Sequence, residues 1–133
     1  MLIRSKISLT IALFWLLLIT TLLCTSGTKF PKIGWQDKIW LDKWVHIVLF
    51  FALTYSWCRV FFLYRNDHDK TRKIFLIVVI SCIVYGITME IIQGLYIPFR
   101  SFELEDILAD SAGAGIGYFI IQRQNTKIRN KID

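Results

Sequence analysis

The sequence has few of the signatures by which an enzyme or a binding module is usually recognised. Its 133 residues include only three cysteines, whose spacing is neither paired nor typical of a metal site. It contains no P-loop, GxSxG, GxGxxG or HExxH motif, and nothing that resembles a nucleic-acid-binding motif. Nucleotide-binding and zinc-protease signatures are therefore missing, no nucleic-acid partner is expected, and the spacing predicts neither a cofactor nor a metal ion.

Charged residues are also scarce over long stretches of the chain. Hydrophobic residues make up 55% of the sequence, and the mean hydropathy is +0.51. The net charge is +6, but the lysines and arginines lie between apolar runs and do not form one basic surface. This pattern indicates a membrane protein, in which basic residues determine topology.

Four apolar segments predict an all-α, polytopic bundle of four transmembrane helices. The first follows Arg4 and Lys6 and could be a signal peptide, but its 18 uncharged residues exceed the usual 7–15, so a retained span is favoured. We expect a single domain over residues 1–121, with a basic and frayed tail over 122–133. The predicted spans cover residues 7–24, 44–64, 74–97 and 104–121.

Lysine and arginine counts orient these spans. Ten of these residues fall on the side that holds both termini and five on the other side. The positive-inside rule then places both termini in the cytoplasm of a cell whose cytoplasmic membrane holds the protein. Arg59, near the end of the second span, is interpreted as a side chain that extends to the far interface.

Glu90 is the one charged residue between Ile74 and Ile97, a segment of 24 residues. A carboxylate inside such a segment costs about 2.5–3.5 kcal/mol on insertion scales, which makes it a candidate for function. Gln93 follows three residues later and lies on the same helical face.

Other polar residues fall at the same predicted depth, at the extracytoplasmic ends of their spans. Asp42 and His46 are i,i+4 neighbours at the start of the second span, and Arg100 lies in the loop after the third. The fourth span carries one stripe that combines acids with small residues able to approach another helix closely. That stripe consists of Asp106, Asp110, Gly113 and Gly117.

These side chains suit chemistry on a lipid headgroup. His46 is expected to act as base or nucleophile, with Asp42 as the carboxylate that orients it. Glu90 or Asp106 would supply a proton, and the guanidinium of Arg100 would bind a phosphate. Further substrate contacts are expected from Gln93, Lys43 and Asp110. Carboxylates with His46 could also bind a metal, although no metal-binding motif supports this.

With these pieces in order, the chain resembles the VanZ-like family of small membrane proteins. The matching residues extend from Asp42 to Gly117 and include Asp42-Lys43-x-x-His46, Glu90-x-x-Gln93 and Arg100-Ser101. They end with Asp106-x-x-x-Asp110-x-x-Gly113-x-x-x-Gly117. At the position of Asp110 the family often has Asn, which cannot serve as a base and favours a structural or ligand-binding role.

The resemblance implies a multi-pass membrane protein with a link to tolerance of glycopeptide antibiotics such as teicoplanin. It also implies similarity to four-helix membrane proteins that are proposed to process lipid headgroups or lipid-carrier phosphates. Three hypotheses stay open: a lipid-headgroup phosphoester transferase or hydrolase, a non-catalytic binder of a lipid-linked precursor, and a small channel or transporter. The binder would depend on Arg100 and Trp40, and the transporter on Glu90.

Overall fold

The computed structural model describes residues 2–25, 41–64 and 68–129, and every regular element within these ranges is an α-helix. The predictions that concern Trp40 and most of the connector between the first two spans lie outside these residues. The helices, in chain order, are α1 (Leu2–Leu23), α2 (Leu41–Tyr64), α3 (His68–Tyr96) and α4 (Leu104–Arg129). The all-α prediction is therefore confirmed.

Three of the four helices are long and apolar enough to cross a membrane. The candidate spans are Arg4–Leu23, Leu41–Tyr64 and Thr71–Tyr96. Helix α4 is not one of them, because acids occupy its first turns, small residues its middle and polar residues its end. The predicted frayed tail is wrong for the described part, since α4 continues through Arg129.

In an apolar environment a hydroxyl group needs a hydrogen-bond partner within the protein. Eight serine and threonine hydroxyls donate a hydrogen bond to the carbonyl oxygen four residues earlier. The residues that do so are Thr10, Thr20, Thr21, Thr25, Ser56, Thr88, Ser111 and Thr126.

The closest helix contact is between α2 and α4, and glycine makes it possible. A Cβ atom added to Gly113 would overlap the main-chain oxygen of Ile47, and one added to Gly117 would lie 2.9 Å from the oxygen of Phe51. The predicted packing role of the Gly113/Gly117 stripe is thus confirmed. In a membrane, where helices gain no hydrophobic energy by associating, such close van der Waals contact stabilises the pair.

Helix α1 packs on the other helices and does not stand apart from them. Trp15 Nε1 donates a hydrogen bond to Leu49 O in α2 at 2.9 Å, and the Thr20 and Tyr85 hydroxyls join α1 to α3 at 2.9 Å. Ile19 is fully buried in the shared core with Phe50. The four helices therefore form one bundle.

The connection between α3 and α4 is short and tightly turned. Pro98 ends α3 because it has no N–H to continue the helix, and Phe99 has a φ of 60°, in the left-handed region. The Arg100 N–H then donates to Ile97 O at 3.3 Å, and the Asp106 N–H donates to Glu103 O at 3.1 Å as α4 begins. This turn brings the end of α3 and the start of α4 together.

A cavity of about 460 Å³ lies at the opposite end of the bundle, between the start of α1 and the end of α2. Arg4 and Arg59 line it together with Ser8 and Ser56. Arg59 is exposed, which agrees with its interpretation as a side chain that reaches an interface.

Candidate functional site

The predicted polar residues meet at one end of the bundle. Gln93 Nε2 in α3 donates a hydrogen bond to Leu23 O at the end of α1, at 2.9 Å. His46 near the start of α2 contacts Asp106 and Asp110 near the start of α4. This end therefore combines the last turns of α1 and α3 with the first turns of α2 and α4.

His46 is the centre of the cluster. Its Nδ1 lies 2.9 Å from Asp110 Oδ1 and its Nε2 lies 3.8 Å from Asp106 Oδ2. All three residues are at least nine-tenths buried. With Asp110 as a carboxylate, Nδ1 carries a proton and donates a hydrogen bond to it, and Nε2 is the ring nitrogen that faces Asp106.

Glu90 completes this group from α3. It is 1% exposed, and its Oε2 accepts the main-chain N–H of Glu103 at 3.1 Å. One ligand atom each from His46, Glu90 and Asp106 can be chosen so that all lie within 4.8 Å of one another. Three separate helices thus deliver a nitrogen and two carboxylates to one small volume.

Lys43 neutralises the outer edge of the cluster. Its Nζ lies 2.5 Å from Asp106 Oδ1 and 3.1 Å from Asp42 Oδ2, and it also pairs with Glu103. Glu105 Oε2 lies at 4.0 Å. The ammonium group therefore ties the start of α2 to the start of α4, and it is half-buried by the acids around it.

Asp42 does not have the position that the sequence predicted for it. Its side chain is 59% exposed and pairs with Lys43, while the imidazole of His46 is held by Asp110 instead. The i,i+4 spacing places Asp42 and His46 on one face of α2, but the Asp42 carboxylate lies at the exposed end of that face and pairs with Lys43. The carboxylate that orients His46 comes from another helix, which local spacing could not reveal.

Two residues predicted to bind substrate, Gln93 and Arg100, are fully or partly covered by other parts of the protein. Gln93, expected to bind substrate, uses its amide to satisfy a carbonyl at the end of α1 that no later turn of that helix can reach. Arg100 is half-buried in the turn between α3 and α4. Glu103, for which no role was predicted, pairs with Lys43 through its side chain and with Glu90 through its main-chain N–H. The sequence signal that could have identified Glu103 is its position directly before α4.

Comparison with known proteins decides the family. The family model VanZ/LLP1 matches residues 5–125, nearly the whole chain. The chain belongs to this family. No curated protein and no solved structure matches it. Family membership and the three long apolar helices together indicate a VanZ-like membrane protein, and the resemblance seen in the motifs between Asp42 and Gly117 is confirmed.

Proposed function

We propose that this VanZ-like protein binds and processes the phosphorylated headgroup of a membrane lipid or lipid-linked cell-wall precursor. The observation that carries the proposal is the buried His46 imidazole, held by Asp110 and facing Asp106 between two apolar helices. Buried ionisable groups in a membrane segment are costly, and they are retained where a site uses them.

The proposal takes α4 as the fourth membrane span, although α4 is less apolar than the three candidate spans. Its acids near the start are covered by α2, since Asp106 and Asp110 are buried against Lys43 and His46. Its large apolar side chains point outward, where lipid would contact them. These exposed residues are Leu104, Leu108, Ile116 and Phe119. A helix with this arrangement can span a membrane inside a bundle while its mean hydropathy stays low.

The proposed orientation follows the excess of lysine and arginine on the side of both termini. The His46 cluster then faces the exterior of the cell membrane, at the depth of outer-leaflet headgroups. Lys43 and Arg100 supply positive charge beside it, and a guanidinium matches the geometry of phosphate oxygens. A phosphoester in this position would lie within reach of His46, whose Asp110 partner fixes its tautomer.

The experiment is a lipid-processing assay with the purified protein in liposomes. Phospholipids and lipid-carrier phosphates are supplied in turn, and the products are followed by mass spectrometry. We expect the wild-type protein to convert at least one phosphorylated lipid, and His46→Ala to lose that conversion. Gly115→Ala is the control, because a Cβ at that position meets nothing within 4 Å. If wild type and His46→Ala leave every lipid equally unchanged, the proposed catalysis is wrong.

A role in glycopeptide tolerance is part of the proposal and has its own test. Cells that express the wild-type protein should tolerate teicoplanin better than cells without it, and His46→Gln should remove the difference. Tolerance that survives His46→Gln and fails on Arg100→Ala would instead indicate a protein that binds the lipid-linked precursor without catalysis.

A further inference from the structure

We infer that His46, Glu90 and Asp106 form a site for one first-row divalent transition-metal ion. The inference deepens the proposed function, because it assigns what the cluster holds beside the headgroup. It rests on three ligand atoms from three helices within 4.8 Å of one another, all on residues at least nine-tenths buried. A bound ion of this class keeps its ligand atoms about 2.0–2.2 Å away, so a closure of about 1 Å would suffice.

The hydrogen bond to Asp110 supports a ligand role for His46. Metal-binding histidines almost always donate their second ring N–H to a carboxylate or carbonyl, which fixes the tautomer and aims the other nitrogen at the metal. Here Nδ1 lies 2.9 Å from Asp110 Oδ1. Nε2 is the ring nitrogen on the side of Asp106 and is the one that would bind the metal.

Two of the proposed ligand atoms face each other without a hydrogen bond between them. His46 Nε2 and Asp106 Oδ2 are 3.8 Å apart, which is too far for a hydrogen bond and close to the separation of two ligands on one ion. Asp106 can keep its ion pair with Lys43, because that pair uses the other oxygen, Oδ1.

Charge favours a cation at this position. Glu90, Asp106 and Asp110 are buried carboxylates, and Lys43 supplies one ammonium group at their edge. A divalent ion would offset the remaining negative charge more directly than solvent can in a buried site. A second acidic group, formed by Asp42, Glu103 and Asp106, is geometrically similar, but Lys43 already pairs with all three.

The donor set points to the class of ion. One imidazole nitrogen with two carboxylates suits Mn²⁺, Fe²⁺ or Zn²⁺ better than Mg²⁺ or Ca²⁺, which prefer oxygen ligands alone. Three protein ligands leave coordination positions for water or a phosphate oxygen. With an ion bound, His46 is a metal ligand. The general-base role predicted for it from the sequence would then belong to another residue of the cluster.

The test uses the full chain in lipid nanodiscs, with its affinity tag removed, after treatment with EDTA. Mn²⁺ is the probe: EPR counts the bound ion, and electron spin-echo modulation detects a coordinated nitrogen. We expect one Mn²⁺ per chain with nitrogen coupling. Zn²⁺ should displace this ion, whereas the same concentration of Mg²⁺ should not. No lipid substrate is needed, so the result is independent of whether any headgroup is processed.

Matched variants decide which residues hold the ion. His46→Gln should abolish the nitrogen coupling and His68→Gln should keep it, because these are the two histidines of the chain and His68 begins α3 at the other end. Asp106→Asn and Glu90→Gln should each weaken metal binding on the order of 100-fold, because loss of a ligand costs at least as much as loss of a residue hydrogen-bonded to a ligand. Glu105→Gln should change the affinity for the metal by no more than about threefold, because exposed charges interact weakly.

Several results would overturn the inference. One is a stripped wild-type protein that binds neither Mn²⁺ nor Zn²⁺. Another is bound Mn²⁺ without nitrogen coupling, and a third is equal loss in Glu105→Gln and Asp106→Asn. The wild-type measurements stand without any variant, so a failure of one variant to fold does not remove the test.

Discussion

Gly113 of α4 lies directly against the main-chain carbonyl of Ile47 in α2, one turn below the residues that surround His46. The same helix has Gly115 two residues later, where an added Cβ would meet nothing within 4 Å. The pair offers a direct test of whether close helix approach maintains the site.

We expect Gly113→Ala to lower the free energy of unfolding by about 1–3 kcal/mol or more, because the methyl group overlaps main-chain atoms that cannot move independently. Gly115→Ala should cause no loss, since it adds a methyl group in open space. Thermal unfolding of the two variants in one detergent measures the difference. Equal midpoints would show that α2 and α4 are not in this contact.

Gln93 is expected to stabilise the bundle and not to contact substrate. Replacement by Leu removes the hydrogen bond to Leu23 O and takes away the donor that α3 supplies to this buried carbonyl. The cost should be about 1–3 kcal/mol in unfolding free energy. Metal binding should persist in folded Gln93→Leu. A variant of unchanged stability that lost all lipid processing would restore the substrate-binding role that the sequence predicted.

Asp110 is expected to position His46. Asn at this position can still accept a hydrogen bond from Nδ1–H through its amide oxygen, whereas the apolar Leu cannot. The ¹⁵N NMR signals of the two histidines report the tautomer, and they should show a protonated Nδ1 at His46 in wild type and Asp110→Asn. Asp110→Leu should lose this signature. A tautomer that is the same in all three proteins would contradict the positioning role.

Phe99 is expected to store strain in the α3–α4 turn. Its φ of 60° is unfavourable for a side chain with a Cβ, and the ring is 82% exposed, so it gains little from packing. Phe99→Gly should therefore raise the unfolding free energy by about 1 kcal/mol. Phe102→Gly is the comparison and should lower it, because Phe102 packs against Gly94. Loss of stability in Phe99→Gly would mean that the exposed ring contributes more than the strain costs.

Much of this architecture follows from local sequence patterns. Apolar runs between charged residues predict the helices, and Pro98 predicts the end of α3. Glu90 is conspicuous because nothing near it is charged. The glycine stripe of α4 predicts its packing face through simple spacing, and the structure confirms that prediction for Gly113 and Gly117.

Other features depend on distances across the bundle that spacing does not encode. Asp42 has the right position along α2 to orient His46, but Asp110 reaches the imidazole from α4, 64 residues later. The three residues of the proposed metal site come from three helices, so no compact motif announces them. Glu103 acquires its contacts only when the α3–α4 turn folds it back over Glu90.

The central claim is that His46 and Asp106 act together on a phosphorylated lipid in one site. The most direct measurement is a double-mutant cycle of lipid conversion, with His46→Gln, Asp106→Asn and the double variant assayed in the same liposomes. Groups that serve one reaction centre show non-additive losses, so the double variant should be no slower than the slower single variant. Losses that multiply, as they do for independent positions, would contradict a single site.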